Sequence, residues 1–451
     1  MRIYNQALIS ASLLSVCGLL GADPGSGDMK APTDAVSAAD QRSPLPSPLT
    51  LDYVLSLGTD SHPNVLHALA EIEHSQARTL GAQSATGLQS TLQGALRYVE
   101  PPGGVEAEED HYVQWSLQKR LYDFGHSSHA EDAAQQNEQG SQWDLVATRN
   151  RHRIEIMRHF FDVLLADLSF IRDNEAMSVA FVSLDRLRKR QELGQKSDIE
   201  ILEAETIYQN SRRKFYSSRS LQRSSRNRLA NSINRPGELA AEVAEPKLTG
   251  LFDKLPDIEV LQQQALAHNP VLKAMRYKLQ AAQDSMESAR AFGRPFIDTE
   301  ARMAEYTRAF GNRNRWEVEL RLNVPLWTGG RSDAALAQAR GTLMKQQALY
   351  NQVQMDVGQK ILETWQLLDE LRVLRDHMQK ESEFRELYLD RSRALYELEW
   401  KTDLGDSMVQ VSDARYRLAK VTYDTAIAWA RLDALLGKDV FPVKEKPSET
   451  K

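Results

Sequence analysis

The side chains most able to do chemistry are pairs of carboxylates. Asp403 and Asp406 stand three residues apart, as do Glu200 and Glu203, a spacing that keeps both members on one face of a helix. Such a pair either draws cations or forms a helix cap followed by a solvated face. Little else could carry a reaction. His62, His67 and His74 make no convincing metal-ligand set with a carboxylate and read as solvated or capping residues, so no metal is expected. The basic run Arg212, Arg213, Lys214, Arg219, Arg223, Arg226 and Arg228 has only Phe215 and Tyr216 beside it to stack on bases. With 56 Lys+Arg against 62 Asp+Glu, a net charge of −6 and a pI near 6.0, no nucleic-acid partner is expected. Ser-His-Asp and phosphate-loop patterns are absent, and Gly311, Gly329 and Gly330 mark loops and a corner. The single cysteine, Cys17, excludes an internal disulfide and a Cys-rich metal site. Neither an enzyme nor a cofactor is expected.

The elements that position the carboxylates repeat. His62-Pro63-Asn64-Val65-Leu66 parallels His268-Asn269-Pro270-Val271-Leu272, and Leu121-Tyr122-Asp123-Phe124-Gly125 parallels Leu326-Trp327-Thr328-Gly329-Gly330. Leu193-Gly194-Gln195-Lys196-Ser197-Asp198 parallels Leu398-Glu399-Trp400-Lys401-Thr402-Asp403, and Arg228-Leu229 parallels Arg431-Leu432. One nearly constant offset of 203–206 residues joins all four anchors, so the chain reads as two copies of one unit, 50–248 and 249–440. Each copy predicts a short helix, two strands and two very long helices.

In the second copy Trp316, Val318, Leu320 and Leu322 alternate with Glu317, Glu319, Arg321 and Asn323, a strand with one apolar and one polar face. Val113, Trp115, Leu117 and Leu121 do the same in the first copy, and Leu88, Leu92, Leu96 and Tyr98, with Ile297, Thr299, Ala301 and Met303, mark the other two strands. Ile154, Met157, Phe161, Leu164, Leu168 and Ile171 step by three and four, as do Ile361, Trp365, Leu368, Leu371, Leu374 and Met378, the mark of a heptad-like seam on a polar rod. No proline falls between Ser127 and Gln191 or between Arg331 and Glu397. Rods of that length reach on the order of 100 Å at about 1.5 Å per residue. The chain is extended.

Residues 1–22 carry a short basic start, an apolar stretch Ala7–Leu20 and a small residue before a polar break, and read as a secretory signal. Whether Cys17 is lipidated stays open at this point. Residues 23–49 read as a Gly/Pro/Ser-rich linker and 441–451 as a tail.

Four strands with an apolar face cannot close a barrel alone. Three copies supply twelve, a workable number for a membrane barrel with a polar lumen. The duplicated layout, the corner Val324-Pro325-Leu326-Trp327-Thr328-Gly329-Gly330-Arg331, the helix start Asn269-Pro270-Val271-Leu272 and the turn Leu193-Gly194-Gln195-Lys196-Ser197-Asp198 together resemble the TolC-like outer-membrane efflux proteins, from Leu51 to Lys438. The fold class is therefore expected to be mostly α with β. Long coiled-coil-like hairpins and four strands per protomer would trimerise into a 12-stranded β-barrel continued by an α-helical barrel.

The resemblance implies a homotrimeric exit duct for efflux or type I secretion in the outer membrane of a Gram-negative bacterium. A periplasmic adaptor (membrane fusion) protein would couple it to an inner-membrane pump, with outer-membrane lipid around the barrel. It places adaptor docking at Leu193, Gly194, Ser197, Leu398 and Thr402, although Glu399 stands where the first copy has glycine and Trp400 adds bulk. It places a pore entrance at Tyr396, Lys401, Asp403, Asp406, Glu200 and Glu203, where carboxylates tripled around an axis would attract cations. Trp316, Val318, Leu320 and Leu322 would face lipid. The rival reading is an exported coiled-coil scaffold or adhesin with no pore, which has no need of two-faced strands at matched positions in both copies.

Overall fold

The computed structural model describes residues 44–99, 108–248, 250–252, 254–307, 313–398, 403–438 and 440. The signal segment with Cys17, the linker up to residue 43, the turn residues 399–402 and the tail lie outside them. The chain divides at Pro46, and of Met1–Pro46 only the irregular residues 44–46 are described. The second unit begins at Ser47 and holds every helix and strand described.

Two sets of elements have almost the same dimensions. The first runs α1 (Leu51–Ser61), α2 (Pro63–Ser84), β1 (Gln89–Ala95), β2 (Tyr98–Val99), β3 (Glu108–Glu109), β4 (Tyr112–Tyr122), α3 (His126–Glu192) and α4 (Asp198–Ser232). The second runs α5 (Ile258–His268), α6 (Pro270–Ala291), β5 (Phe296–Tyr306), β6 (Trp316–Asn323), α7 (Arg331–Glu397) and α8 (Leu404–Leu435). Helices α1 and α5 have 11 residues, α2 and α6 have 22, and α3 and α7 have 67.

The sequence pattern predicts one short helix per copy, and the structure has two. Proline is the reason. It drives the preceding residue out of the helical region, so His62 (ψ 139°) and Asn269 (ψ 124°) break the chain and cap the next helix. The Asn269 side chain accepts from the Leu272 amide at 3.1 Å and donates to the Leu435 carbonyl at 2.9 Å, which ties α6 to the end of α8. The second hairpin helices, α4 and α8, are also shorter than expected, at 35 and 32 residues.

The strand-to-helix corners need backbone in the left-handed region. Gly329 (φ 63°) and Gly330 (φ 84°) supply it before α7. Before α3 the same path is taken by Phe124 (φ 54°) and Gly125 (φ 94°), and the Asp123 carboxylate holds it by accepting from the Ser127 amide at 2.9 Å. A non-glycine residue at positive φ is costly unless its surroundings fix it.

The main sheet has the order β1-β4-β5-β6, all antiparallel. A small separate ribbon, β2-β3, was not expected from the sequence pattern. Helices continue the order of the sheet. Near it the packed row is α2–α3–α6–α7, and farther along it is α4–α3–α8–α7. Thus α3 and α7 run the whole length, while α2 and α6 fill one half and α4 and α8 the other.

The core lies where the two halves of the row meet. Phe160, Phe161, Ile156 and Met157 of α3 are almost wholly buried, and the Phe161 ring stacks on Tyr423 of α8 at 4.7 Å. A second cluster joins Leu261, Leu272, Ile361, Leu368, Val421 and Leu432. The single seam expected on α3 is wider than its heptad pattern: Ile156, Phe160, Val163 and Ala166 are buried beside Met157, Phe161 and Leu164, whereas Ile171 is exposed. The cause is that α3 packs against helices on several sides.

Candidate membrane sheet and pore entrance

The sheet separates two chemistries by its pleat. Register places Leu92, Trp115, Met303 and Trp316 in one cross-strand row, and Leu117, Ala301 and Val318 in the next row on the same face. Trp316, Val318, Leu320 and Leu322 are 62–74 % exposed, so none of the described residues covers this part of the face. A bulge at Arg120–Tyr122 shifts the ladder, and Tyr122, not the Leu121 of the simple alternation, stands opposite Ile297. Tyr122 at one end, with Trp115 and Trp316 at the other, borders the apolar band with aromatic rings. Such bordering is the pattern of strands that meet lipid. Lys119 shares this face opposite Thr299, close enough to its end for a long stem to carry the ammonium to water.

On the other face guanidinium and carboxylate groups neutralise one another. Arg120 bonds Asp298 at 2.9 Å, Gln118 donates to Glu300 at 3.0 Å, and Arg302 grips Glu300 through two bonds of 2.6 and 2.7 Å. Arg321 reaches Glu319 at 2.7 Å, and Arg302 lies 3.8 Å from the same carboxylate. Strands β4, β5 and β6 thus present charge to one side and mainly hydrocarbon to the other. Strands β1 and β6 each have one neighbour in the sheet, which leaves two edges to be paired.

At the far end of α3 the first turn is tightly specified. Gly194 takes φ 73°, its amide donates to the Gln191 carbonyl at 2.8 Å, and the Gln195 amide donates to Arg190 at 2.9 Å. Ser197 then starts α4 with a capping box, its hydroxyl accepting from the Glu200 amide at 3.5 Å while Glu200 accepts from the Ser197 amide at 3.0 Å. Lys196 adds an ion pair to Glu200 at 2.5 Å. The Lys196 ammonium, and after it the Ser197 amide, hold this carboxyl below the usual glutamate range. Glu200 is therefore occupied in the turn, while Glu203 and Leu193 point outward.

The second turn is built differently. Leu398 ends α7 with its amide donating to the Ala394 carbonyl at 3.2 Å, and Lys401 and Thr402 lie outside the described residues. Asp403 is the N-cap of α8, and its half-buried carboxylate accepts from the Tyr388 hydroxyl at 2.9 Å. Asp406 and Tyr396 are exposed. The two aspartates of the pair consequently occupy different environments, one engaged across its own hairpin and one in solvent.

Sequence pattern did not point to the contacts between the hairpins. Arg172 of α3 bonds Asp413 of α8 at 3.1 Å and lies 5.0 Å over the Tyr416 ring, and Ser412 donates to Glu175. Close to the turns, a Cβ on Gly405 would come within 2.9 Å of Val179, so glycine there lets α8 approach α3. These partners are more than 200 residues apart, and no local spacing signals them. Among the described residues no group of three His, Cys, Asp or Glu could hold a metal ion, and no helix is long and apolar enough to cross a membrane.

Residues 261–438 match the family described as outer membrane efflux protein. The structure is similar to the outer membrane protein VceC of Vibrio cholerae, at 17% identity over 87% of this chain and 97% of that one, with a TM-score of 0.70. It is also similar to the CmeC outer membrane channel of Campylobacter jejuni, at 13% identity over 88% of each chain (TM-score 0.72). The open-state MtrE outer membrane channel of Neisseria gonorrhoeae matches at 16% identity over 88% of this chain and 91% of that one (TM-score 0.70). No curated protein matches the chain. The fold is that of the TolC-like outer-membrane channels.

Proposed function

We propose that the protein is the exit duct of an efflux or type I secretion system in the outer membrane of a Gram-negative bacterium. The observation that carries this reading is the two-faced sheet, whose edge strands lack partners and which continues into two 67-residue helices. An apolar face of that size is stable against lipid, and a charged face against water. Three copies, edge to edge, supply twelve strands and a ring of helices that would stand in the periplasm. The chain comprises, on this reading, an export signal (1–22), a linker (23–49), two copies of one unit (50–248 and 249–440) and a tail (441–451).

The turns at Leu193, Gly194 and Ser197, and at Leu398 and Thr402, are the docking sites for a periplasmic adaptor linked to an inner-membrane pump. Tyr396, Lys401, Asp403, Asp406, Glu200 and Glu203 surround the entrance. Asp406 and Glu203 are the carboxylates free to face cargo, because Glu200 and Asp403 are engaged within their own hairpins. Opening is a shift between closed and open arrangements of the hairpins, driven by an adaptor that binds the open one more tightly.

Electron microscopy of particles extracted from outer membranes in detergent tests this. A hollow threefold cylinder extending on the order of 100 Å beyond the detergent belt is expected from helices of this length. A soluble monomer or a solid rod would overturn the duct and favour the scaffold.

A further inference from the structure

We infer that the seam between neighbouring copies in the helical tube is set by a ladder of charges. Carboxylates of α7 (Glu383 and Asp376) face guanidinium groups of α4 (Arg212 and Arg219) of the next copy. The inference rests on the ring of copies proposed above and adds which faces join and which residues set their register.

The helix order selects the two faces. In the half of the molecule away from the sheet the row is α4–α3–α8–α7, so α4 and α7 are its ends. Rotation about an axis joins one end of a row to the other end of the next, a head-to-tail joint between unlike surfaces. The α7 side turned from α8 carries Val373 and Leu387, 68 % and 72 % exposed, and the α4 side turned from α3 carries Ile199 at 78 %. These apolar side chains await a neighbour.

Charge then matches the two ends. From Thr206 to Gly237 there are eight basic residues and no acidic one. Asp167 takes Arg226 at 2.8 Å and Glu238 takes Arg235 at 3.1 Å. Arg212 lies 5.8 Å over the Tyr216 ring, and Arg219 and Arg223 make no ion pair among the described residues. On α7 the exposed acids Asp369, Asp376 and Glu383 recur every seven residues. Among the described residues Asp376 pairs with the adjacent Arg375 at 3.4 Å, and Glu383 with Lys380 at 2.7 Å and Gln379 at 3.4 Å, local pairs that exchange readily for a better partner.

Height and facing agree. Helices α3 and α7 have 67 residues each and leave adjoining regions of one sheet, so their far ends are level. Counted from those ends, Glu383 on α7 and Arg212 on α4 are both fourteen residues along, and Asp376 and Arg219 are both twenty-one. That puts the rungs roughly 21 and 32 Å above the turns at about 1.5 Å per residue. Asp369 and Glu383 each directly follow a buried residue, Leu368 and Ser382, as Arg219 follows Ser218. One residue turns each stripe about 100° from its packed side. Because α7 and α4 run in opposite directions and pack on opposite sides of the joint, both stripes emerge on the same surface of the wall.

Paired cysteines in the full chain test this in its own membrane, with single variants as controls for Cys17. Oxidation of the Asp376→Cys/Arg219→Cys protein is expected to link more than half of the chains into covalent dimers and trimers. Asp376→Cys/Ser217→Cys, with Ser217 on the other surface, should link at least fivefold less. Arg219→Glu should lower the trimer surviving a heat step by roughly tenfold, and adding Asp376→Arg to the same chain should restore it. Equal linking at positions 219 and 217, or a double reversal no better than the single one, would overturn the ladder while leaving the trimer standing. An unsubstituted protein that an amine-reactive linker traps only as monomer would overturn the ring as well.

Discussion

Helices α3 and α7 have the same length and the same heptad-like spacing, yet they sit in opposite situations. α3 has seventeen buried residues and touches helices α1, α2, α4, α6 and α8, so its phenylalanines can be large and inward. α7 has six, ends the row on one side, and exposes Val373, Phe384 and Leu387. Equal periodicity therefore does not mean equal burial. A heptad stripe states that one face will be packed, and the number of further faces depends on how many neighbours topology delivers.

Substitutions on the edge that α7 continues should have the largest consequence. Val318→Lys, on the apolar face of the strand leading into α7 and one row inward from that of Lys119, places a charge against lipid at about 2–4 kcal/mol in each subunit of the trimer. Loss of the protein from the outer-membrane fraction is expected. Glu319→Lys, one residue on, should leave insertion intact and change single-channel conductance, since its partners Arg321 and Arg302 face away from lipid. Harmless results for both would refute the assignment of faces.

Next in size is the contrast within the helices. Phe161→Ala, which removes the ring stacked on Tyr423, should cost about 3–5 kcal/mol in denaturant unfolding. Leu387→Ala on α7 should stay within about 0.5 kcal/mol in the unassembled chain and weaken only the assembled form. A large effect of Leu387→Ala in the monomer would mean that α7 is covered within its own chain.

Two turn glycines sharpen the comparison further. Gly437 (φ 70°) leaves room for nothing, because a Cβ there would lie 2.2 Å from the His268 carbonyl, so Gly437→Ala should cost more than the about 1–3 kcal/mol of backbone strain alone. Gly194 (φ 73°) faces open space at the tip, and Gly194→Ala should cost only about 1 kcal/mol. Thermal unfolding of the two variants orders them.

The smallest effect is expected at the capping box. The folded-state pKa of Glu200 is lowered, so its contribution is present above the ordinary glutamate value of 4.5 and is lost as pH falls through the folded value. Hydrogen exchange at the start of α4, corrected for intrinsic rates, should show faster opening at pH 3 than at pH 7, and Glu200→Gln should remove the difference.

Much of this was legible in the residues themselves. Trp316, Val318, Leu320 and Leu322 alternate without interruption, and the spans Ser127–Gln191 and Arg331–Glu397 read from the sequence match the two 67-residue helices to within about a residue at each end. The turn at Gly194 and Ser197 was legible because its chemistry is local. The bulge that substitutes Tyr122 for Leu121 was not, nor was the positive φ of Phe124, since both are imposed by neighbouring strands and by the Asp123 bond to Ser127. Asp403 and Asp406 look equivalent in sequence and differ in the fold, because Tyr388 reaches one of them from the facing helix.

Short-range order followed from the sequence by itself: which segments are strands or helices, where proline and glycine interrupt them, and which face of each is apolar. These depend on backbone sterics and on solvation of neighbouring side chains, which act within a few residues. Only the tertiary structure decided that α3 is central and α7 terminal, that Arg172 meets Asp413, and that the charges of β4, β5 and β6 neutralise one another. Those outcomes depend on residues as far as 241 positions apart arriving at the same place, and local periodicity holds no information about which partner arrives.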